Sequence, residues 1–277
     1  MQAGARLPPI VTRVAHAGHD DHRFCGFLLF EELAGREPCA GLLALSILGR
    51  RLPPEECAVL DDLAAVTSVA DPRIWPLKLT RLVAEFGSAQ TAVAAGNLSL
   101  EGAIIGPWVC EDAATLLLQI GADVGDRVDD EEVVRRALLD RIGVSHPPGW
   151  GVPFREADER LAALRICLER RGRTGLRAWS LLEACTRVLR RERKLEPNIT
   201  LGVAAACLDL GAPPNSIGIL MTVLVQTVFV ANAVEAARQA PTVLRRLPDH
   251  VISYVGKPPR TSPRAQAAAR AGQTSTR

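Results

Sequence analysis

Aromatic residues are scarce: one tyrosine, six phenylalanines and four tryptophans make up 4% of 277 residues. Strands of sandwiches and barrels draw heavily on aromatic and β-branched side chains, so this scarcity argues against an all-β fold. Lysine is rarer still, and Lys78, Lys194 and Lys257 are the only lysines among 33 basic residues. Those 33 nearly cancel 31 acidic residues, which leaves no charge field able to recruit nucleic acid. Arginine in such excess still suits carboxylate and phosphate clamps. No CxxC pair occurs among the seven cysteines. Scattered through apolar stretches, they read as buried thiols of a reducing compartment, so a cytoplasmic protein is expected. The first residues lack the apolar core of a secretory signal. No uninterrupted apolar run reaches membrane length, because the longest, 217–234, carries Gln226 and Asn232 and reads as a core helix. Neither a membrane nor a nucleic acid is expected as a partner.

What the sequence does have is a leucine- and alanine-rich body, 48% hydrophobic and 23% charged, the composition of an all-α core. Apolar residues recur at the helical period over 24–34, 39–50, 54–67, 75–86, 88–97, 110–121, 130–142, 155–171, 175–191, 200–210, 216–238 and 241–249. Breakers fall between these segments. Pro53-Pro54 opens a helix with Glu55 and Glu56 in its first turn, where the helix dipole favours acids. Asp71-Pro72, Gly106-Pro107, Pro147-Pro148-Gly149, Pro197-Asn198 and Gly211 to Pro214 mark other turns. The ends, polar and poor in large apolar residues, read as flexible tails over 1–19 and 261–277.

Few side chains suggest chemistry on spacing alone. His16, His19 and His22 with Asp20 and Asp21 offer metal ligands within a short span. Gly18 and the missing cysteine favour a polar tail instead, and no metal site is expected. His146 and His250 stand alone. No Gly-rich phosphate loop, nucleophile elbow or HExxH is present.

Several stretches, in order, resemble the citrate synthase / citryl-CoA lyase superfamily. Leu48-Gly49-Arg50-Arg51-Leu52-Pro53 is similar to its "GrLP" turn. "EGAIIGPWVCEDAATLLLQI" sits where the family carries "GPlHGGAnE", keeping Gly106 and Pro107 but placing Val109 at the histidine. "PPGWGVPFREADERLAAL" resembles "GfGHPly..gDPRa", with Gly149, Gly151, Pro153, Asp158 and Arg160 retained and Val152 at the second histidine. "EPNITLGVAAACLDLGAPP" looks like "PNvDfalaal", with Pro197 and Asn198 kept and Thr200 at the aspartate. Near the end Ala231, Glu235, Tyr254, Val255 and Gly256 match, while Val225 replaces an arginine and Asn232 a histidine.

The resemblance implies a citrate-synthase-like all-α homodimer with a cleft between a large domain, 20–111 plus 198–260, and a small domain, 112–197. It also implies that the family's enolisation cannot run unchanged, since valine neither donates nor accepts a proton and threonine is no base. Loss of the arginine at Val225 weakens recognition of a dicarboxylate. Two readings follow. One is an enzyme making or breaking a carbon–carbon bond in a CoA thioester or β-keto acid other than acetyl-CoA plus oxaloacetate. In it, Glu111 or Asp112 is the relocated base and Thr200 or Asn198 donates a hydrogen bond to an enolate-like oxygen. Cys110, Arg155, Asp158, Arg160 and Asn232 would contact the substrate, an acyl-CoA or small carboxylate, and no cofactor would be permanently bound. The other reading is an inactive ligand-binding or regulatory homologue that partners an active relative. For Glu111 and Asp112 the plain alternative is a place in the first turn of a helix starting after Pro107.

Overall fold

The computed structural model describes residues 10–19, 21–101, 106–152 and 156–239, which belong to one compact unit, Met1–Pro241. In a second unit, Thr242–Arg277, it describes 248–253, 255–256, 262–264 and 266–267, including a 3₁₀ turn at Asp249–Val251. The helix expected over 241–249 therefore lies almost wholly outside the described residues, as does Tyr254.

Eleven α-helices make up the first unit among the described residues: α1 (Cys39–Leu48), α2 (Pro54–Thr67), α3 (Trp75–Phe86), α4 (Ala89–Leu98), α5 (Trp108–Val124), α6 (Glu131–Ile142), α7 (Glu159–Arg170), α8 (Arg177–Arg193), α9 (Ile199–Asp209), α10 (Pro214–Leu224) and α11 (Gln226–Ala236). The fold is all-α, as composition and periodicity indicate. Local chemistry sets the ends. Pro54 opens α2, Asp130 accepts from Val133 N to cap α6, and Lys194 in the left-handed region closes α8 after Arg190, Arg191 and Arg193.

Two expected elements differ. The stretch 24–34 is not a helix. β1 (Ala15–Ala17), β2 (His22–Phe24) and β3 (Phe27–Leu28) form a small antiparallel sheet, followed by a single π-helical turn at Leu29–Leu33. The described part of the expected N-terminal tail thus contributes a strand. Phe24 pairs with Phe27 across a two-residue loop, Cys25 and Gly26, both at positive φ, the geometry of a tight primed hairpin turn. The single helix expected over 216–238 is instead α10 and α11, divided at Val225. Gln226 donates from Nε2 to Thr222 O and exchanges amide hydrogen bonds with Asn97 on α4, at 2.9 Å each way, which fixes the second half on a different neighbour.

α9 is the centre of the packing. Eight of its eleven residues are buried, and it touches α2, α5, α7, α8 and α10. One continuous apolar core runs through α1, α2 and α5–α10. Each large aliphatic side chain buried there contributes about 1.5–3 kcal/mol. The boundaries expected at 112 and 198 fall inside α5 and at the cap of α9. α11 packs separately on α3 and α4, through Ala84, Ala92, Ala233 and Ala236. Taken together, Pro214–Ala236 is long and apolar enough to cross a membrane by length and composition, at mean hydropathy 2.1, and half of its most apolar window is buried in this packing.

Candidate functional site

Three helices, α5, α7 and α9, begin around one cavity of about 600 Å³. Helix N-termini carry partial positive charge and unpaired N–H groups, so the mouth of this cavity favours an anion or a polarised carbonyl. At the start of α5, Val109 and Cys110 face it. Gly151 and Val152 supply a second wall, Asn198, Thr200 and Val203 a third, and Met221 and Val225 close the far side. Segments nearly 120 residues apart are thus brought together, and Val109, Val152, Thr200 and Val225 share one lining.

The third wall is tied rigidly to the second. Gly151 N donates to Glu196 O at 2.7 Å and Asn198 N to Gly149 O at 2.9 Å, around a bridge between Trp150 and Pro197. The crossing demands glycine. Gly149 and Gly151 sit at φ of 85° and 88°, and a Cβ on Gly149 would lie 2.8 Å from that of Leu201.

The polar groups are mostly committed. Asn198 Oδ1 caps α9 through Thr200 N at 3.0 Å, and its Nδ2 donates to Gly151 O at 3.0 Å. Asp158, 5% exposed, caps α7, accepts two hydrogen bonds from the Arg160 guanidinium at 2.9 and 2.7 Å, and accepts Ile199 N at 2.9 Å. Burial pushes its carboxyl up. The Arg160 side chain and the Ile199 and Arg160 backbone N–H groups outweigh burial, so it ends below the usual carboxylate range. Burial, with the charge of Glu111 second, pushes the Cys110 thiol up to about 12, which leaves no nucleophilic thiolate at neutral pH. Thr200 Oγ1 has no protein partner among the described residues, and it is the hydroxyl free to donate into the cavity.

Other expected site residues lie elsewhere. Glu111 turns toward α10, where its Oε1 accepts Gly218 N at 3.1 Å, and Asp112 is exposed. Neither lines the cavity. The direction follows from helix geometry, because successive residues point about 100° apart and the buried stripe Cys110, Ala113, Ala114, Leu117 fixes the rotation of α5. Asn232 is also outside the lining. It donates to Ala70 O and Val228 O and accepts from Arg81, a structural tie between α11, α3 and the chain after α2. Arg155 lies outside the described residues. Sequence reasoning missed the contribution of Thr67, Val69 and Ile74, which line the cavity from the connection between α2 and α3. The Asp71-Pro72 turn was the only signal there. Among the described residues no group of three His, Cys, Asp or Glu side chains is placed to hold a metal.

Solved structures share this arrangement of helices. A citryl-CoA lyase from Hydrogenobacter thermophilus matches with a TM-score of 0.76 and 20% identity, over 93% of this chain and 99% of the lyase. ATP citrate lyase from Methanothrix soehngenii, in complex with citrate and coenzyme A, matches with a TM-score of 0.71 and 15% identity, over 92% of this chain and 43% of that longer one. A citrate synthase from Thermotoga maritima gives 0.56 and 17%, over 80% and 59%. The fold is citrate-synthase-like. No family model and no curated protein matches the chain.

Proposed function

We propose that the protein binds a CoA thioester with an apolar acyl group in the valine-lined cavity, without the enolisation chemistry of citrate synthases. The observation carrying this reading is the shared lining: Val109, Val152, Val203, Met221 and Val225 form much of its apolar part, alongside Asp158, Glu159 and Arg160, and no histidine lines it among the described residues. Such walls hold an apolar acyl chain by burial, whereas a dicarboxylate would lose water without gaining a charged clamp. Thr200 Oγ1 and the N-termini of α5 and α9 supply donors for a thioester carbonyl. The one Arg160 nitrogen not bound to Asp158, Nη1, remains as a hydrogen-bond donor, while the guanidinium charge is already matched by that carboxylate. The cavity draws on residues within 67–110 and 198–225 on one side and within 151–160 on the other, the arrangement a cleft between a large and a small domain would have. The names of the structural neighbours, a citryl-CoA lyase and a lyase bound to coenzyme A, support the thioester as ligand class. The ligand would come and go, with no permanent cofactor, and the seven free cysteines suit a cytoplasmic setting.

A second reading, cleavage or formation of a carbon–carbon bond in such a thioester or in a β-keto acid, is favoured by one arrangement: Asp158, Arg160 and Thr200 meet on neighbouring walls. Against it, a carboxyl held below its usual range is a weak base.

Differential scanning with isovaleryl-CoA, acetyl-CoA, free CoA, citrate and oxaloacetate tests the proposal. A ligand that binds only the folded state raises the melting temperature. The expected order is isovaleryl-CoA first, with citrate and oxaloacetate inert. Stabilisation by citrate or oxaloacetate but by no acyl-CoA overturns it. Mass-spectrometric detection of a shortened or lengthened acyl product favours the second reading.

A further inference from the structure

The cleft has a depth axis. Val69 and Ile74, 41% and 36% exposed, stand at its outer end, whereas Val203 and Met221, 1% and 4% exposed, form its floor with the buried Cys110. Its charged side chains, Asp158, Glu159 and Arg160, all come from the start of α7, while the floor comes from α5, α9 and α10. Burial holds the Cys110 thiol uncharged at neutral pH, so the floor is apolar. Thr200 and Val203 line the cavity from one face of α9, three residues apart. With a rise of about 1.5 Å per residue, the floor lies about 4.5 Å below the level of Thr200, the reach of a chain of about four carbons counted from a carbonyl held there. Met221 is the longest side chain of that floor, unbranched and itself part of the apolar core.

We propose that Met221, backed by Val203, sets the length of acyl chain the cleft accepts, which makes short-chain acyl-CoAs its ligand class. This rests on the acyl-thioester reading given above. An acyl group up to butyryl packs on Val109 and Val225 and ends against the floor. A much longer chain must displace Met221 from the core or bend back toward the start of α7, where it would strip water from charged groups. Truncating Met221 therefore extends the apolar part of the cleft and leaves its polar end untouched.

Calorimetry on the intact protein with free CoA and with acetyl-, butyryl-, hexanoyl- and octanoyl-CoA tests this. Affinity should rise about fourfold per methylene from acetyl to butyryl and fall again by octanoyl. In Met221→Ala, octanoyl-CoA should tighten about tenfold while acetyl-CoA is unchanged. Leu224→Ala truncates a buried side chain on the same helix that does not line the cleft, and it should keep the wild-type order. Val203→Ile raises the floor and should weaken butyryl-CoA about fourfold, which decides the matter if Met221→Ala proves unfolded by circular dichroism. Four results overturn this inference and leave the thioester reading standing: an unchanged order of chain lengths in folded Met221→Ala, unchanged butyryl-CoA affinity in Val203→Ile, the same shift in Leu224→Ala, or octanoyl-CoA bound by the wild type as tightly as butyryl-CoA. Equal affinity for free CoA and every acyl-CoA, or no binding of any of them, overturns both.

Discussion

Asp158 Oδ2 accepts the backbone N–H of Ile199 at 2.9 Å, so one carboxylate caps α7 and pins the first turn of α9. Because its folded-state carboxyl lies below the ordinary value of 3.8, its stabilisation is complete above that pH. It is lost as pH falls below 3.8 and through the lowered folded value. Asp158→Asn should cost about 1–3 kcal/mol at pH 7. The gap between wild type and variant in urea unfolding should close on acidification below pH 4. A gap that is constant with pH would remove the charge from this account.

Glu111 and Asp112 were the natural candidates for a relocated base, and their placement outside the cavity gives a different expectation. Glu111→Gln weakens the acceptor of Gly218 N and should lower stability by about 1 kcal/mol. Asp112→Asn, on the surface, should be neutral within about 0.5 kcal/mol. Neither should change the melting shift produced by an acyl-CoA. Loss of that shift in either variant would put a carboxylate back in the cleft.

The helices were legible because apolar periodicity and breakers carry their own physics: 54–67 and 75–86 match α2 and α3 residue for residue. The Cys25-Gly26 hairpin was not, since a short apolar run fits helix and strand alike and only the left-handed turn decides. The break at Val225 depends on the Gln226–Asn97 pair, a contact 129 residues apart in sequence. The turns around Val109, Val152 and Thr200 were located from their glycines and prolines. The side-chain directions of Glu111 and Asn232 were not, because Gly218 and Arg81, their partners, are set by tertiary packing.

Ile219, Val223, Val230 and Val234 are 53%, 42%, 46% and 38% exposed on α10 and α11. An exposed aliphatic stripe of this kind suits a self-complementary contact between two copies. A homodimer is therefore expected by light scattering at micromolar concentration, and Val230→Glu with Val234→Glu should shift it to monomer without loss of helicity. A wild-type monomer under the same conditions would rule out this interface.

The protein should not release CoA from acetyl-CoA and oxaloacetate. Citrate formation in this fold requires a base for the α-proton and donors aimed at two developing oxyanions. Here Val109, Val152 and Thr200 line the cavity together, and His146, whose imidazole lies against Gly151, is not itself part of the lining. Restoring one group should not suffice, because residues that act as a unit fail as a unit. A lone imidazole from Val152→His would also meet apolar walls that disfavour its charged form. A thiol-release assay at micromolar enzyme should therefore read background for the wild type and for Val152→His. Robust release by the wild type would mean that the catalytic groups lie outside the lining, and the assignment of these three positions would fall.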